Sequence, residues 1–164
     1  KNVIFVLAHP GYGDRFEKHI DILKTADADI LLTPHPGEMG RLIKKGADYV
    51  NSDRIGIATA FAEKYGLTLL LKGRFTVIAD PDGTVHINTT GNAGMAKAGS
   101  GDVLTGIALS LAAQGIPLCS AASAAAFIHG KAGDIAAKEH SRRAMTASDT
   151  ASSLKKLFSE YEKD

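Results

Sequence analysis

Several short runs in this chain are apolar without alternation, and a strand that is apolar on both faces has to be covered on both sides. Runs of this kind, bounded by turn residues, predict strands at Val3–Ala8, Asp29–Leu32, Leu67–Leu71, Thr76–Ala79 and Thr84–Ile87. Helical periodicity at about 14–27, 37–46, 51–65, 101–114, 118–139 and 147–161 supplies the two covering layers. The expectation is an α/β fold with a mostly parallel sheet. Between the last two strands, Asp80-Pro81-Asp82-Gly83 predicts a hairpin turn, because proline presets one dihedral angle and glycine accepts positive φ. Thr146-Ala147-Ser148-Asp149 resembles a capping box with aspartate in place of glutamate, which would start the last helix. The alanines from Ala121 to Ala126 suit a helix that packs closely against its neighbours.

Composition sets a class and excludes others. The chain has 164 residues, 45% of them hydrophobic and 23% charged, enough for one globular unit with a real core. A formal net charge of +1 provides no field that would gather nucleic acid. Cys119 is the only cysteine, so neither an internal disulfide nor a thiolate zinc site can form, and a reducing, cytoplasmic setting is expected. No apolar run approaches the ~20 residues of a membrane-spanning helix, so no membrane partner is expected. The chain begins at Lys1 with an apolar strand close behind, which reads as part of a domain whose amino-terminal section is absent.

Three segments carry the candidate chemistry. The richest is Asn88–Gly106, a glycine-rich loop running into an apolar helix. Helix amino termini attract anions because unpaired N–H groups and the positive end of the macrodipole converge there, and Gly99 and Gly101 let the main chain come close to a phosphate. Asp102 falls in the first turn, where it could accept a proton from a substrate hydroxyl. A plain capping turn built on Ser100 or Asp102 is the competing reading. The second segment, Thr33-Pro34-His35-Pro36-Gly37-Glu38, follows a strand and opens a helix, which in a doubly wound sheet is the ligand-binding edge. Two prolines stiffen His35 there, although a simple turn with Glu38 complementing the helix dipole would look the same. The third, Lys72-Gly73-Arg74-Phe75-Thr76, ends a core strand and offers a cation for a phosphate. His9 and His129 read as structural, since no paired metal-ligand spacing surrounds them, and no protein-held metal is expected.

In order and spacing, Thr33–Glu38, Lys72-Gly73, Thr90–Gly106, Gln114-Gly115, His129-Gly130 and Ala147–Asp149 together resemble the ADP-dependent NAD(P)H-hydrate dehydratase family, the YjeF carboxy-terminal domain of the ribokinase-like superfamily. The resemblance covers roughly residues 29–160 and implies a three-layer α/β/α fold, with 1–164 forming one partial dehydratase domain. It implies an enzyme of nicotinamide cofactor repair, a hydro-lyase that dehydrates (S)-NAD(P)H-hydrate, spending ADP, with ATP as an alternative, and releasing AMP and phosphate. Mg²⁺ would arrive with the nucleotide. By the same resemblance Asp102 is the catalytic acid–base residue and also touches the substrate, which His35, Pro36, Gly37 and Glu38 bind. Lys72, Gly73, Arg74, Phe75 and Thr76 would hold the adenine nucleotide together with Asn92, Ala93, Gly94, Met95, Ala96, Lys97, Ala98, Gly99, Ser100 and Gly101. A homo-oligomer and a fused epimerase domain are compatible expectations. Lys97-Ala98 departs from the family's usual Thr or Lys followed by Gly, and a positive φ at Ala98 would be strained. A ribokinase-like small-molecule kinase acting on hydroxymethylpyrimidine or hydroxyethylthiazole, and a nucleotide-binding module without catalysis, are the alternative readings.

Overall fold

The structure, a computed structural model, describes residues 2–6 and 20–162. Its strands are β1 (Asn2–Val6), β2 (Ala28–Leu32), β3 (Thr68–Leu71), β4 (Thr76–Ala79) and β5 (Val85–Asn88). The helices are α1 (Pro36–Leu42), α2 (Ala47–Ser52), α3 (Arg54–Tyr65), α4 (Ser100–Ala113), α5 (Leu118–Ala144) and α6 (Ala147–Tyr161), with 3-10 turns at Ile20–Lys24 and Ala93–Met95.

The strands form one sheet in sequence order, β1-β2-β3-β4-β5. β1, β2 and β3 are parallel, and β4 and β5 each pair antiparallel with the strand before. Half of the pairings are thus antiparallel. The cause is local: the links between β3, β4 and β5 are too short for a crossover. In the second of these links Asp80 N–H donates to the Thr84 carbonyl at 2.9 Å and Gly83 N–H to the Asp80 carbonyl at 3.1 Å, the hairpin expected there.

Side chains alternate between two cores. Ile30, Leu32, Leu69, Leu71, Val77 and Ala79 face Leu23, Met39, Leu42, Val50, Phe61 and Ala62 from the amino-terminal half of the chain. Leu31, Leu70 and Ile78 point the other way, onto Leu104 and Ala108 of α4 and Ala122, Ala125 and Ala126 of α5. A buried leucine on each face contributes about 1.5–3 kcal/mol, which is why these runs carry no polar alternation. The alanine stretch does lie against the sheet, and α6 packs on α5. The result is helix, sheet, helix in three layers.

Several boundaries differ from expectation. Ala28 and Asp29 already pair with Asn2 and Val3, so a helix over 14–27 cannot persist to its end, and the visible part is one turn at Ile20–Lys24. Residues 14–19 of that expectation, Leu7 and Ala8 of the first strand, and His9 lie outside the described residues. The helix placed at 37–46 stops at Leu42, because Lys44 takes φ 56° and Lys45 N–H turns back to the Gly40 carbonyl at 2.7 Å. The next, placed at 51–65, is split at Asp53, whose carboxylate accepts the Gly56 N–H at 2.9 Å and starts α3. Among the described residues no helix is long and apolar enough to cross a membrane.

Candidate functional site

Because β5 runs in the same direction as β3, the loops that follow β2, β3 and β5 all emerge at one edge of the sheet. Those loops are the three segments singled out from sequence. Ligands bind at this edge in open α/β sheets.

Thr33–Glu38 is a capped helix start. His35 is the N-cap of α1, and its Nδ1 accepts the Gly37 N–H at 3.0 Å and the Glu38 N–H at 3.2 Å. Glu38 Oε2 returns the favour by accepting the His35 N–H at 2.7 Å, which completes a capping box. With Nδ1 committed as an acceptor, the ring proton sits on Nε2, 3.4 Å from Glu38 Oε1. Burial pushes the His35 pKa below its ordinary value and outweighs the opposing pull of Glu38, so the ring is neutral near pH 7. The plain-turn reading and the site reading therefore coexist: Glu38 is buried and engaged, while nearly half of the His35 side chain remains open to solvent.

Lys72 joins the three loops. Its N–H donates to the Pro34 carbonyl at 2.8 Å, and its Nζ lies 3.6 Å from Glu38 Oε2. A Cβ added at Gly101 would sit 3.2 Å from the same Nζ, so the ammonium rests directly over the first turn of α4. One residue on, Asp102 is exposed and its carboxylate has no hydrogen bond or ion pair among the described residues. Deeper in, the Thr33 and Thr105 hydroxyls approach to 3.4 Å and tie the end of β2 to α4.

Among the described residues no side chain caps α4. Gly99, at φ 84°, is the N-cap, and Asp102 and Val103 N–H both turn to its carbonyl, at 3.1 and 3.2 Å. Neither Ser100 nor Asp102 plays the capping role considered from sequence. Ala98 is not among the residues with positive φ, so the strain feared there does not arise.

The front of the glycine-rich loop is held by α5. Asn92 Nδ2 donates to the Gly133 carbonyl and to Asp134 Oδ1, both at 3.0 Å, and Asp134 Oδ2 accepts the Gly91 N–H at 3.1 Å. Lys97 Nζ donates to the carbonyls of Arg143, at 2.8 Å, and Met145, where α5 breaks at Ser141 and α6 begins. The side chains of Asn92 and Lys97 thus dock the loop onto its support, and they are not gathered beside Lys72 and Asp102. The α6 start is the expected capping box, with Asp149 Oδ2 accepting the Thr146 N–H at 2.7 Å and Oγ1–H at 2.8 Å.

Two residues touch these segments that were not among the candidate site residues, His129, read from sequence as structural, and Arg54, not singled out. His129, buried in α5, brings Nε2 to 3.4 Å from Ser100 Oγ, and burial pushes its pKa down to about 4. Arg54, the first residue of α3, donates to the carbonyls of Leu71, Lys72 and Arg74. A signal for the first was present in the spacing of His129-Gly130. None announced the second. Among the described residues no group of three or more His, Cys, Asp or Glu could hold a metal ion. A groove between α5 and α6, lined by Asn92, Lys131, Asp134 and Tyr161, includes none of His35, Lys72 or Asp102.

The arrangement sets an ammonium and an exposed carboxylate beside the amino terminus of α4, a combination that could receive an anion. The sequence profile described as NAD(P)H-hydrate dehydratase matches residues 15–156. The chain belongs to the NAD(P)H-hydrate dehydratase family. Over 120 residues it is 55% identical to the bifunctional NAD(P)H-hydrate repair enzyme Nnr of Moorella thermoacetica, covering 73% of this chain and 23% of that protein. It is 46% identical over 107 residues to the ADP-dependent (S)-NAD(P)H-hydrate dehydratase of Neisseria meningitidis, covering 65% of this chain and 36% of that one. The chain thus spans about a quarter to a third of the length of these dehydratase relatives. Among solved structures, the ADP/ATP-dependent NAD(P)H-hydrate dehydratase of Bacillus subtilis, co-crystallized with ATP/Mg²⁺ and soaked with CoA, superposes with TM-score 0.78 at 32% identity, over 82% of this chain and 50% of that one. A ribokinase-like superfamily protein of Enterococcus faecalis shares the fold, with TM-score 0.75 at 24% identity over 97% of this chain and 52% of that one. The chain thus has the ribokinase-like fold that the resemblance implied.

Proposed function

We propose that this chain carries the phosphoryl-transfer site of an ADP-dependent (S)-NAD(P)H-hydrate dehydratase, as part of one ribokinase-like domain. The observation that carries the reading is Lys72 Nζ, poised over Gly101 at a helix amino terminus that no side chain among the described residues caps, with the exposed carboxylate of Asp102 alongside. A phosphate placed there meets N–H donors, the positive end of α4 and an ammonium. In this reading Asp102 takes the proton from the hydrate's hydroxyl as its oxygen attacks the β-phosphorus of ADP, and AMP leaves. The phosphate ester then loses phosphate, and a proton leaves the neighbouring ring carbon as the ring double bond forms, giving NAD(P)H. Overall, hydrate and ADP become NAD(P)H, AMP and phosphate.

His35 and the Pro36–Glu38 turn face the same edge and would bind the hydrate, with Glu38 acting through the cap and through Lys72. Lys72–Thr76 and Asn92–Gly101 would hold the nucleotide, with ATP as a substitute for ADP. The donors present suit an ion that travels with the nucleotide, since Glu38 is already engaged and Asp102 is one exposed carboxylate. Mg²⁺ bound there would neutralise phosphate charge.

Product analysis tests the proposal. The full protein, given hydrated NADH and ADP, should form NADH, AMP and phosphate in equal amounts. A stable phosphorylated alcohol formed from hydroxymethylpyrimidine or hydroxyethylthiazole, with no turnover of the hydrate, would instead make it a small-molecule kinase. Binding of nucleotide without any product would make it a module without catalysis.

A further inference from the structure

Arg54 lies outside every segment that the sequence singled out, yet both terminal nitrogens of its guanidinium donate to the turn that carries one of them. Nη1 donates to the Arg74 carbonyl at 2.5 Å, while Nη2 donates to the Leu71 carbonyl at 2.9 Å and the Lys72 carbonyl at 3.2 Å. Three carbonyls within four residues of one turn therefore converge on a single planar cation, and Nε is buried with no hydrogen-bond partner among the described residues. Among the described residues no carboxylate pairs with the group.

The turn it grips needs a grip. Phe75 sits at φ 57°, a region a bulky side chain rarely adopts, and half of its ring is exposed, with the Arg74 guanidinium 5.0 Å from its centroid. Gly73 sits at φ 149°, and any Cβ there would lie 2.9 Å from Arg54 Nη2, so glycine makes room for the guanidinium. Lys72 is fixed on both sides: its N–H is held by Pro34 and its carbonyl by Arg54, which leaves the side chain pointing to Glu38 and Gly101.

We infer that Arg54 is a positioning residue for nucleotide recognition, holding the Leu71–Thr76 turn so that the Lys72 ammonium is delivered to the amino terminus of α4. The inference rests on the reading that this turn holds the nucleotide. Asp53, which caps the first turn of α3 through Gly56, places the guanidinium at the turn, so α3 serves as the arm that carries it.

The test compares Arg54→Ala, Arg54→Lys and Lys72→Ala in the full protein, alone and as the double variant Arg54→Ala/Lys72→Ala, with KM for ADP, KM for the hydrate and kcat measured separately. Arg54→Ala should raise KM for ADP about tenfold and leave kcat at saturating ADP and KM for the hydrate within about twofold, the pattern of lost uniform binding. Arg54→Lys, which keeps one donor group but not the fork, should fall between, and it is the variant to read if Arg54→Ala does not fold. The double variant should be no worse than about twofold beyond the poorer single one, because both changes remove the same contact. If Lys72→Ala raises KM for ADP and neither Arg54 variant does, the positioning role is wrong and the nucleotide reading stands. If Lys72→Ala also leaves KM for ADP unchanged, the nucleotide reading falls, and this inference with it.

Discussion

His129 Nε2 stands 3.4 Å from the Ser100 hydroxyl, so a neutral imidazole buried in α5 touches the first residue of the helix at whose amino terminus the phosphate is proposed to bind. Burial holds the His129 pKa at about 4, against about 6.5 in an unfolded chain. A group with a depressed folded value contributes its stability above the unfolded value and loses it as pH falls through the folded one. Between pH 6.5 and 4, this histidine alone should therefore cost the protein about 3 kcal/mol, and His35, shifted the same way, adds to the loss. Urea unfolding at pH 7 and at pH 4.5 measures it, with His129→Gln as the comparison. The difference between the two pH values should shrink by at least half in the variant, and an unchanged difference would remove His129 as its source.

The cap of α1 and the position of Lys72 depend on one buried carboxylate. Glu38→Gln keeps its shape but removes the charge that faces Lys72 Nζ at 3.6 Å. The protein should lose about 1–2 kcal/mol, within the range of a lost cap and a weakened charged hydrogen bond. ADP affinity should fall as the ammonium loses its guide. Thermal melting with and without ADP reports both effects, and an unchanged midpoint would mean that the capping box contributes nothing measurable.

Adenine nucleotides should protect the fold. A ligand present at ~100 times its dissociation constant adds about 2.7 kcal/mol. ADP and AMP should therefore raise the melting temperature, and GDP should raise it less. Equal shifts for all three would argue against a dedicated adenosine pocket in Lys72–Thr76 and Asn92–Gly101.

The parts of the fold that were legible in the sequence are those set by local chemistry. Leu69-Leu70-Leu71 and Val77-Ile78-Ala79 show two buried faces directly, and Asp80-Pro81-Asp82-Gly83 has few uses besides a turn. The helix over 37–46 was overextended because nothing in Leu42-Ile43-Lys44-Lys45 signals that Lys44 will turn left-handed. Site residues were legible where glycine, proline and an acid stand in one run. Arg54 was not, since its partners are carbonyls 17 to 20 residues away, and a carbonyl has no sequence identity. The docking role of Lys97 was hidden for the same reason: its acceptors belong to the end of α5, 46 and 48 residues on.

Replacement of Asp102 tests the central claim most directly, because binding and chemistry are expected to separate there. Asp102→Asn preserves size at an exposed position in the first turn of α4, and no hydrogen bond among the described residues depends on its carboxylate. Measured in the full protein, turnover of hydrated NADH with ADP should fall at least ~100-fold, the scale of a lost proton acceptor, while the melting shift produced by ADP is retained. Turnover close to that of the unmodified protein, with the fold and ADP binding intact, would contradict the assignment of Asp102 as the base and with it the proposed phosphoryl transfer at this helix terminus.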